Sequence, residues 1–307
     1  MFSLKLGSLE SSQAKMAILL NGKAISLEVK EDLKKAIEKM PQEIRPTLGI
    51  LQVGDLSESN IYVKNKLKYA SDIGLNTKLI KLQQNASKLQ ISEAIELLNK
   101  QSTGFIVQIP MQTNQIIDSQ EILDLISIDH DIDGLTSFNL DLKNPNNYFL
   151  SATASGIFLL LNKYNILYKN AKIGVIGQSK IVGYPLANFL VLKGYNVFRY
   201  NKDTPKNNIK DLDIIIVATG TKDPITYDQV KPGAVIIDVG IHRDSNNKIS
   251  GDLNFKEFAN VASFITPVPG GVGPMTISAL LINLLKASSL QNPIIVPYLK
   301  FLKSYFN

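Results

Sequence analysis

The stretch KIGVIGQSKIVGYPLANFL, residues 172–190, reads as a buried strand running into Gly177, a short polar turn, and a helix that begins near Gly183 with Pro185 in its first turn. A glycine at a strand end lets backbone approach a ligand closely. The helix N-terminus that follows offers unpaired N–H groups and a positive dipole to a phosphate. The spacing is not G-x-G-x-x-G, so this turn taken alone leaves an ordinary strand-to-helix connection as open as a nucleotide site.

Two further apolar runs on the C-terminal side, DIIIVATG (213–220) and GAVIIDVG (233–240), also finish in glycine. Three strand ends on one sheet edge are thus stripped of side chains, and in an open parallel sheet ligands sit at the carboxyl ends of the strands. After the second strand of this half, YNVFRY, the chain reads RYNKDT (199–204). Lys202 favours a 2′-phosphate and therefore NADP, whereas Asp203 leaves NAD open.

The same alternation runs through the N-terminal side. LEVKEDLKKAIEKM (27–40) has apolar residues at helical spacing and stops at Pro41. TLGILQVG, NTKLIKL and TGFIVQIP read as strands, and SESNIYVKNKLKYASDIG and KLQISEAIELLNK as helices, the first with serines to cap its start and Gly74 after its end. Strand and helix alternating in this way predict a mostly parallel sheet with crossover helices. The pattern dissolves between residues 131 and 147, the expected domain boundary. The predicted fold is two-domain α/β: an N-terminal α/β catalytic domain over 16–150, completed by a C-terminal helix over 275–307, and a Rossmann-like NAD(P)-binding domain with a parallel sheet over 151–274, with the cleft between them. Residues 1–15, MFSLKLGSLESSQAK, are set aside as a leader or extension of unknown role.

Composition narrows the chemistry. The 307 residues carry 33 Lys and Arg against 27 Asp and Glu, but the lysines are spread over helical faces with acids between them, a solvated surface and not a nucleic-acid footprint. There is no cysteine, which excludes zinc-thiolate sites and disulfides and is compatible with a reducing compartment. A cytoplasmic location is expected, with an organellar one left open. The two histidines, His130 and His242, are too far apart in sequence to suggest a triad or a metal site, so no metal is expected. No apolar run approaches the roughly 20 residues of a membrane span, and no membrane association is expected.

Catalysis must then rest on other groups. Tyr62 and Lys66 are four apart and share one helical face, with Ser59 close by. Gln108 leaves a strand at VQIP, and Asp131 and Asp133 flank a turn at DIDG. A lysine held in a partly dry cleft has a depressed pKa and moves protons near neutrality, and an amide can hold it in place. The plain alternative is an amphipathic helix pair with no chemistry.

Read together, SNIYVKNKLKYASDIG, GFIVQIPM, DIDGLTSFN, GVIGQSKIVGYPLA, IIIVATG, AVIIDVGI, GDLNF and ITPVPGGVGPMT resemble, in order and spacing, the bifunctional methylenetetrahydrofolate dehydrogenase and methenyltetrahydrofolate cyclohydrolase family. The resemblance implies tetrahydrofolate derivatives as substrates, a homodimer, and two reactions in one interdomain cleft. In the first, NADP-dependent oxidation turns 5,10-methylenetetrahydrofolate into the methenyl form. In the second, hydrolysis yields 10-formyltetrahydrofolate. By the same resemblance Lys66 is the main proton-handling residue, Gln108 holds and tunes it, Tyr62 stacks on the folate, and Asp133 grips the amino edge of the pterin. Pro267, Gly270 and Gly271 are expected to border the substrate. Gly177, Gln178, Ser179, Ile181, Lys202, Thr219, Gly220, Gly240, Ile241 and Thr276 are expected to line the cofactor.

Three departures from the family pattern stand out. Gln178 replaces the usual Arg of a GRS turn, Asn201 and Lys202 replace a His-Ser pair, and SATA (151–154) replaces PCTP, keeping only Thr153. The first removes a bidentate phosphate partner, so NADP leads while NAD stays open. Two other readings remain: a two-domain Rossmann enzyme like shikimate dehydrogenase, which leaves YxxxK, VQIP and TPVPGG unexplained, and an inactive folate- or nucleotide-binding homologue.

Overall fold

A computed structural model describes residues 16–141, 149–246 and 248–305, so the leader expected at 1–15 lies outside the described residues. In chain order the elements begin with β1 (Ile18–Leu19), α1 (Gly22–Glu38), β2 (Thr47–Val53), α2 (Ser57–Asp72), β3 (Asn76–Leu82), α3 (Lys88–Gln101) and β4 (Gly104–Val107). Two short helices, α4 (Ser119–Leu123) and α5 (Ser137–Leu140), lead to α6 (Ala152–Lys163), β5 (Lys172–Ile176), α7 (Gly183–Leu192), β6 (Asn196–Tyr200), β7 (Ile214–Val217) and β8 (Val235–Asp238). A hairpin of β9 (His242–Arg243) and β10 (Ile249–Ser250) follows, then α8 (Phe255–Ala259), β11 (Phe264–Ile265), α9 (Val272–Gln291) and a closing 3-10 helix (Pro293–Tyr305).

Two parallel sheets result. The first has the order β3-β2-β4, and the second β1-β11-β8-β7-β5-β6. The chain runs from β5 outward to β6 and then returns to the other side of β5 as β7. The order therefore reverses between β5 and β7, and in open parallel sheets the carboxyl ends at such a reversal are where ligands bind.

The strand sequences explain why both faces of each sheet are covered. Side chains alternate across a strand, and here the members of both sets are apolar. Leu48 and Ile50 of β2, Ile106 of β4, Ile214 and Ile216 of β7, and Val235 and Ile237 of β8 all point into one shared core. That core contains α1, α2, α6, α7 and α9 residues and joins the two halves. Leu51, Val53, Phe105 and Val107 face the opposite way onto α3. Ile215, Val217 and Ile236 face the outer core closed by Phe258. Each such side chain, fully buried, contributes roughly 1.5–3 kcal/mol of transfer free energy.

Several local expectations are corrected. The helix foreseen over 27–40 starts at Gly22, where the Asn21 side chain accepts from the Ala24 N–H at 3.0 Å. No serine caps α2: its N-cap is Leu56, with no side-chain bond. The C-terminal helix begins at Val272 and not at Met275, because Gly271 supplies the non-helical cap conformation. It packs on α6, α1 and β4. The pairing of β1 with β11 was not foreseen, since two residues carry no usable period.

Candidate active site

The first constellation hangs on α2, β4 and the DIDG turn. Gln108 follows β4 and is buried, and its amide nitrogen donates to the Ile109 carbonyl at 2.8 Å. That bond fixes the orientation of the amide, so its oxygen is the atom left to accept from Lys66 Nζ, at 2.9 Å. Burial holds the Lys66 ammonium below the usual lysine range, with the Asp133 carboxylate opposing the shift. Asp133 is pushed up by burial, which Lys66 opposes and Asp131 reinforces.

The two acids of the DIDG turn have different work. Asp131 is fully buried, and its carboxylate accepts from the N–H groups of Leu135 and Thr136 and from Asn139 Nδ2, at 3.2, 2.8 and 2.7 Å. It shapes the turn. The Asp133 carboxylate accepts no hydrogen bond among the described residues and is free to meet a ligand. Helix α9 fixes the turn from behind through Asn283 Nδ2, which donates to the carbonyls of Ile132 and Leu150 at 2.9 and 3.1 Å.

Tyr62 is 40% exposed, so one face of its ring is open. Its phenol is raised by burial and by Glu58, against the pull of Arg243, which carries the β9–β10 hairpin toward this helix. The Ser59 hydroxyl, one turn earlier, is buried and has no partner among the described residues. A buried hydroxyl without a partner is costly, and a ligand or water at this point would satisfy it.

The second constellation is the carboxyl edge of β5, β7 and β8, and here the glycines have separate causes. At Gly177, where φ is +99°, a Cβ would lie 2.2 Å from the Ala218 carbonyl oxygen, and at Gly183 it would lie 1.8 Å from that of Gly177. The turn is thus closed against its neighbours before any ligand arrives. Gly220 has φ +66° and open space around it. Gly240 is different: a Cβ there would meet the Asp252 carboxylate at 1.9 Å. Its missing side chain makes room for a buried acid, which corrects the reading of all three glycines as ligand clearances.

That acid, and a second one, were missed as functional candidates. Fully buried Asp252 accepts from the Thr219 and Gly220 N–H groups at 2.9 and 3.0 Å, from the Thr219 hydroxyl at 2.8 Å and from His242 Nε2 at 2.7 Å. Asp238 accepts in turn from the N–H groups of Gly240, Asp252 and Leu253, at 3.0, 2.9 and 2.9 Å. The signal was an Asp within two residues of a Gly in both DVG and GDL.

The remaining expected cofactor residues lie around this edge. Gln178 Nε2 donates to the Val175 and Gly177 carbonyls, both at 3.0 Å, so its amide braces the turn. Ser179 accepts from the Val182 N–H at 3.3 Å, while Ile181 and Ile241 are exposed. Val182, the N-cap of α7, supplies no side-chain cap. The Tyr184 N–H already donates to the Ser179 carbonyl at 3.0 Å and Pro185 has no N–H, which leaves the Gly183 N–H, unbonded among the described residues, available to an anion. The open backbone at Gly220 and the start of α7, which has no side-chain cap, fit a dinucleotide phosphate. Lys202 is exposed beyond β6, beside an Asn201 occupied in its own turn with Thr204.

The loop 266–271 joins β11 to α9. Gly270 has φ +108°, and a Cβ on Gly271 would meet the Pro267 carbonyl at 2.7 Å. The Gly270 carbonyl also accepts from the Lys23 N–H at 2.8 Å, which ties the loop to α1. Thr276, in the second turn of α9, approaches the Thr153 hydroxyl at 3.4 Å. Ser151, a residue of the divergent SATA segment, donates to the Ile181 carbonyl at 2.9 Å and so pins α6 to the nucleotide turn.

Residues 20–133 match the family described as tetrahydrofolate dehydrogenase/cyclohydrolase, catalytic domain. Residues 151–292 match tetrahydrofolate dehydrogenase/cyclohydrolase, NAD(P)-binding domain. The chain belongs to the tetrahydrofolate dehydrogenase/cyclohydrolase family. Among its relatives, the bifunctional protein FolD of Metamycoplasma arthritidis (strain 158L3-1) is 46% identical over 294 residues, 95% of this chain and 100% of that one. The crystal structure of the bifunctional enzyme FolD-methylenetetrahydrofolate dehydrogenase/cyclohydrolase from Campylobacter jejuni gives a TM-score of 0.84 at 35% identity, covering 90% of this chain and 99% of that one. The Trypanosoma brucei methylenetetrahydrofolate dehydrogenase-cyclohydrolase, solved with NADP cofactor and inhibitor, gives 0.82 at 27% identity over 90% and 98%. Membership of this family takes in the YxxxK, VQIP and TPVPGG segments that the shikimate-dehydrogenase-like alternative leaves unexplained. Among the described residues no helix is long and apolar enough to cross a membrane, and no three His, Cys, Asp or Glu side chains gather as a metal site would require.

Proposed function

We propose that the chain oxidises 5,10-methylenetetrahydrofolate to the 5,10-methenyl form with NADP and hydrolyses that product to 10-formyltetrahydrofolate in the same cleft. NADP, when bound, would supply the acceptor for the hydride lost from the one-carbon bridge. The observation that carries this reading is the Lys66–Gln108 pair facing an Asp133 whose carboxylate accepts no hydrogen bond among the described residues, in a chain of this family with a glycine-ended turn at the β5–β7 switch point.

In the oxidation the protein need only hold and dehydrate the substrate, because the bridge nitrogens stabilise the cation that hydride loss leaves behind. Asp133 accepts from the amino edge of the pterin, and Tyr62 stacks its open face on the folate. In the hydrolysis Lys66 takes a proton from the water adding to the methenyl carbon. The adduct's hydroxyl proton then passes to the departing nitrogen as the carbon–nitrogen bond breaks. The depressed basicity of Lys66 supports this, since a lysine in the ordinary range is almost wholly protonated at neutral pH. Gln108 keeps that amine aimed into the cleft. Pro267, Gly270 and Gly271 border the folate ring.

The phosphates of the cofactor rest on the turn of Gly177, Ser179 and Ile181 and on the start of α7. Lys202 meets the 2′-phosphate, Gln178 having spent its amide on the turn. Thr219, Gly220, Gly240, Ile241 and Thr276 complete the lining. We assign 16–150 with 275–307 to folate binding and 151–274 to the dinucleotide, with β1 crossing to the second sheet. A homodimer joined along the open β6 edge belongs to this reading. It is supported by the exposed Tyr184, Val191 and Leu192 of the adjoining α7. A cytoplasmic location also belongs to it, supported by the cysteine-free sequence.

The test is a paired assay of purified protein: reduction of NADP and of NAD with methylenetetrahydrofolate, and hydrolysis of supplied methenyltetrahydrofolate. Both reactions are expected, with NADP preferred. Folded protein that performs neither would overturn the reading.

A further inference from the structure

Asp252 has no role in the residue assignments above, yet it is bonded to more of the cofactor edge than any residue assigned to it. One carboxylate oxygen accepts three hydrogen bonds from Thr219 and Gly220, and the other accepts one from His242. The side chain is fully buried and does not reach the cleft. Its own N–H is held by Asp238, and its carbonyl accepts from the Asp223 N–H at 2.7 Å, so the carboxylate is fixed from behind as well. Two glycines clear the space: a Cβ at Gly240 would lie 1.9 Å from the Asp252 carboxylate, and one at Gly251 would lie 2.0 Å from that of Asp238. The carboxylates of Asp131 and Asp238 each accept three hydrogen bonds, whereas that of Asp252 accepts four and joins the end of β7 to the β9–β10 hairpin.

We propose that Asp252, with His242 as its second partner, is a positioning residue for the oxidative half-reaction, setting the conformation of the Thr219 and Gly220 turn on which the dinucleotide rests. The inference depends on the reading of that edge as the NADP site. Gly220 sits at φ +66°, a conformation of little intrinsic preference, and its N–H is bonded to Asp252. Without the carboxylate, three donors lose their acceptor and the turn is released. The hydrolytic group, Lys66 with Gln108, stands on α2 and after β4 and shares no bond with this network.

Asparagine can partly replace Asp252. Its oxygen can accept from Thr219 and Gly220 while its NH₂ donates to His242 Nε2, provided the imidazole proton moves to Nδ1. Alanine can do neither. The experiment measures KM for NADP, kcat for methenyltetrahydrofolate hydrolysis and thermal unfolding for the full-length wild type, Asp252→Ala, Asp252→Asn and His242→Ala. The alanine at 252 is expected to raise KM for NADP about tenfold or more with hydrolysis within about twofold of wild type, and asparagine to restore KM to within about threefold. His242→Ala leaves the three turn bonds intact, so it keeps the test open if Asp252→Ala does not fold, and its expected rise is about threefold. An unshifted KM in both alanine variants, parallel loss of both activities, or asparagine no better than alanine would overturn the proposal. Failure of the wild type to reduce NADP would instead overturn the functional reading on which the proposal rests.

Discussion

Lys66 combines a buried amine, a single amide acceptor and a nearby carboxylate, and each has a separate effect on its proton. Burial disfavours the ammonium and the Asp133 charge favours it. Removing that charge must therefore lower the pKa further. In side-chain NMR, Lys66 is expected to titrate below the usual lysine range, and Asp133→Asn is expected to move the midpoint to lower pH. A shift upward would show that the two groups do not face each other. On the cofactor side, Lys202 is exposed and belongs to no ion pair among the described residues, which suits a phosphate partner. Lys202→Ala is expected to raise KM for NADP several-fold more than KM for NAD, and equal effects in steady-state kinetics would reject the contact.

Among the elements, the loop 266–271 shows why glycine and proline gather where they do. Gly271 has no room for a Cβ beside Thr266 and the Pro267 carbonyl, and its own carbonyl oxygen would lie 1.8 Å from a Cβ on Gly22. Gly271→Ala overpacks this junction at roughly 1–3 kcal/mol. It is expected to lower the unfolding temperature and reduce both activities together, whereas loss of one activity alone would place the loop on one side of the cleft. The loop's glycine and proline content was readable in the sequence, but the Gly22 contact was not, because it joins residues far apart in sequence. The same limit explains Gly240. From the sequence it was one more bare strand end, and only the fold brings Asp252 against it. Strands with apolar residues on both faces, the glycine-ended edge and the YxxxK helix were legible, since each is local in sequence. The short β1 pairing and the partners of Asp252 depend on tertiary proximity, whereas the turning of Gln178 onto the carbonyls of Val175 and Gly177 is local but depends on a side-chain conformation that sequence pattern does not carry.

At the scale of the whole molecule, α6, α9 and α1 contribute to one core that joins the two sheets, and Gln108 and the glycine-ended turns follow the carboxyl ends of their strands. In the proposed function, this arrangement is what lets one bound folate meet a hydride acceptor on one side and Lys66 on the other without leaving the cleft. The open β6 edge and the exposed α7 side chains carry the homodimer reading. Sedimentation is expected to give twice the chain mass, with Leu192→Glu shifting the protein toward monomer. A monomeric wild type would remove the dimer from the account. The central claim, two reactions in one cleft with Lys66 required for only one, is tested most directly by Lys66→Met in the paired assay. Hydrolysis of methenyltetrahydrofolate is expected to fall at least about 100-fold, the scale of lost general acid–base catalysis, while NADP reduction stays within about tenfold. Hydrolysis at the wild-type rate in folded Lys66→Met would contradict it.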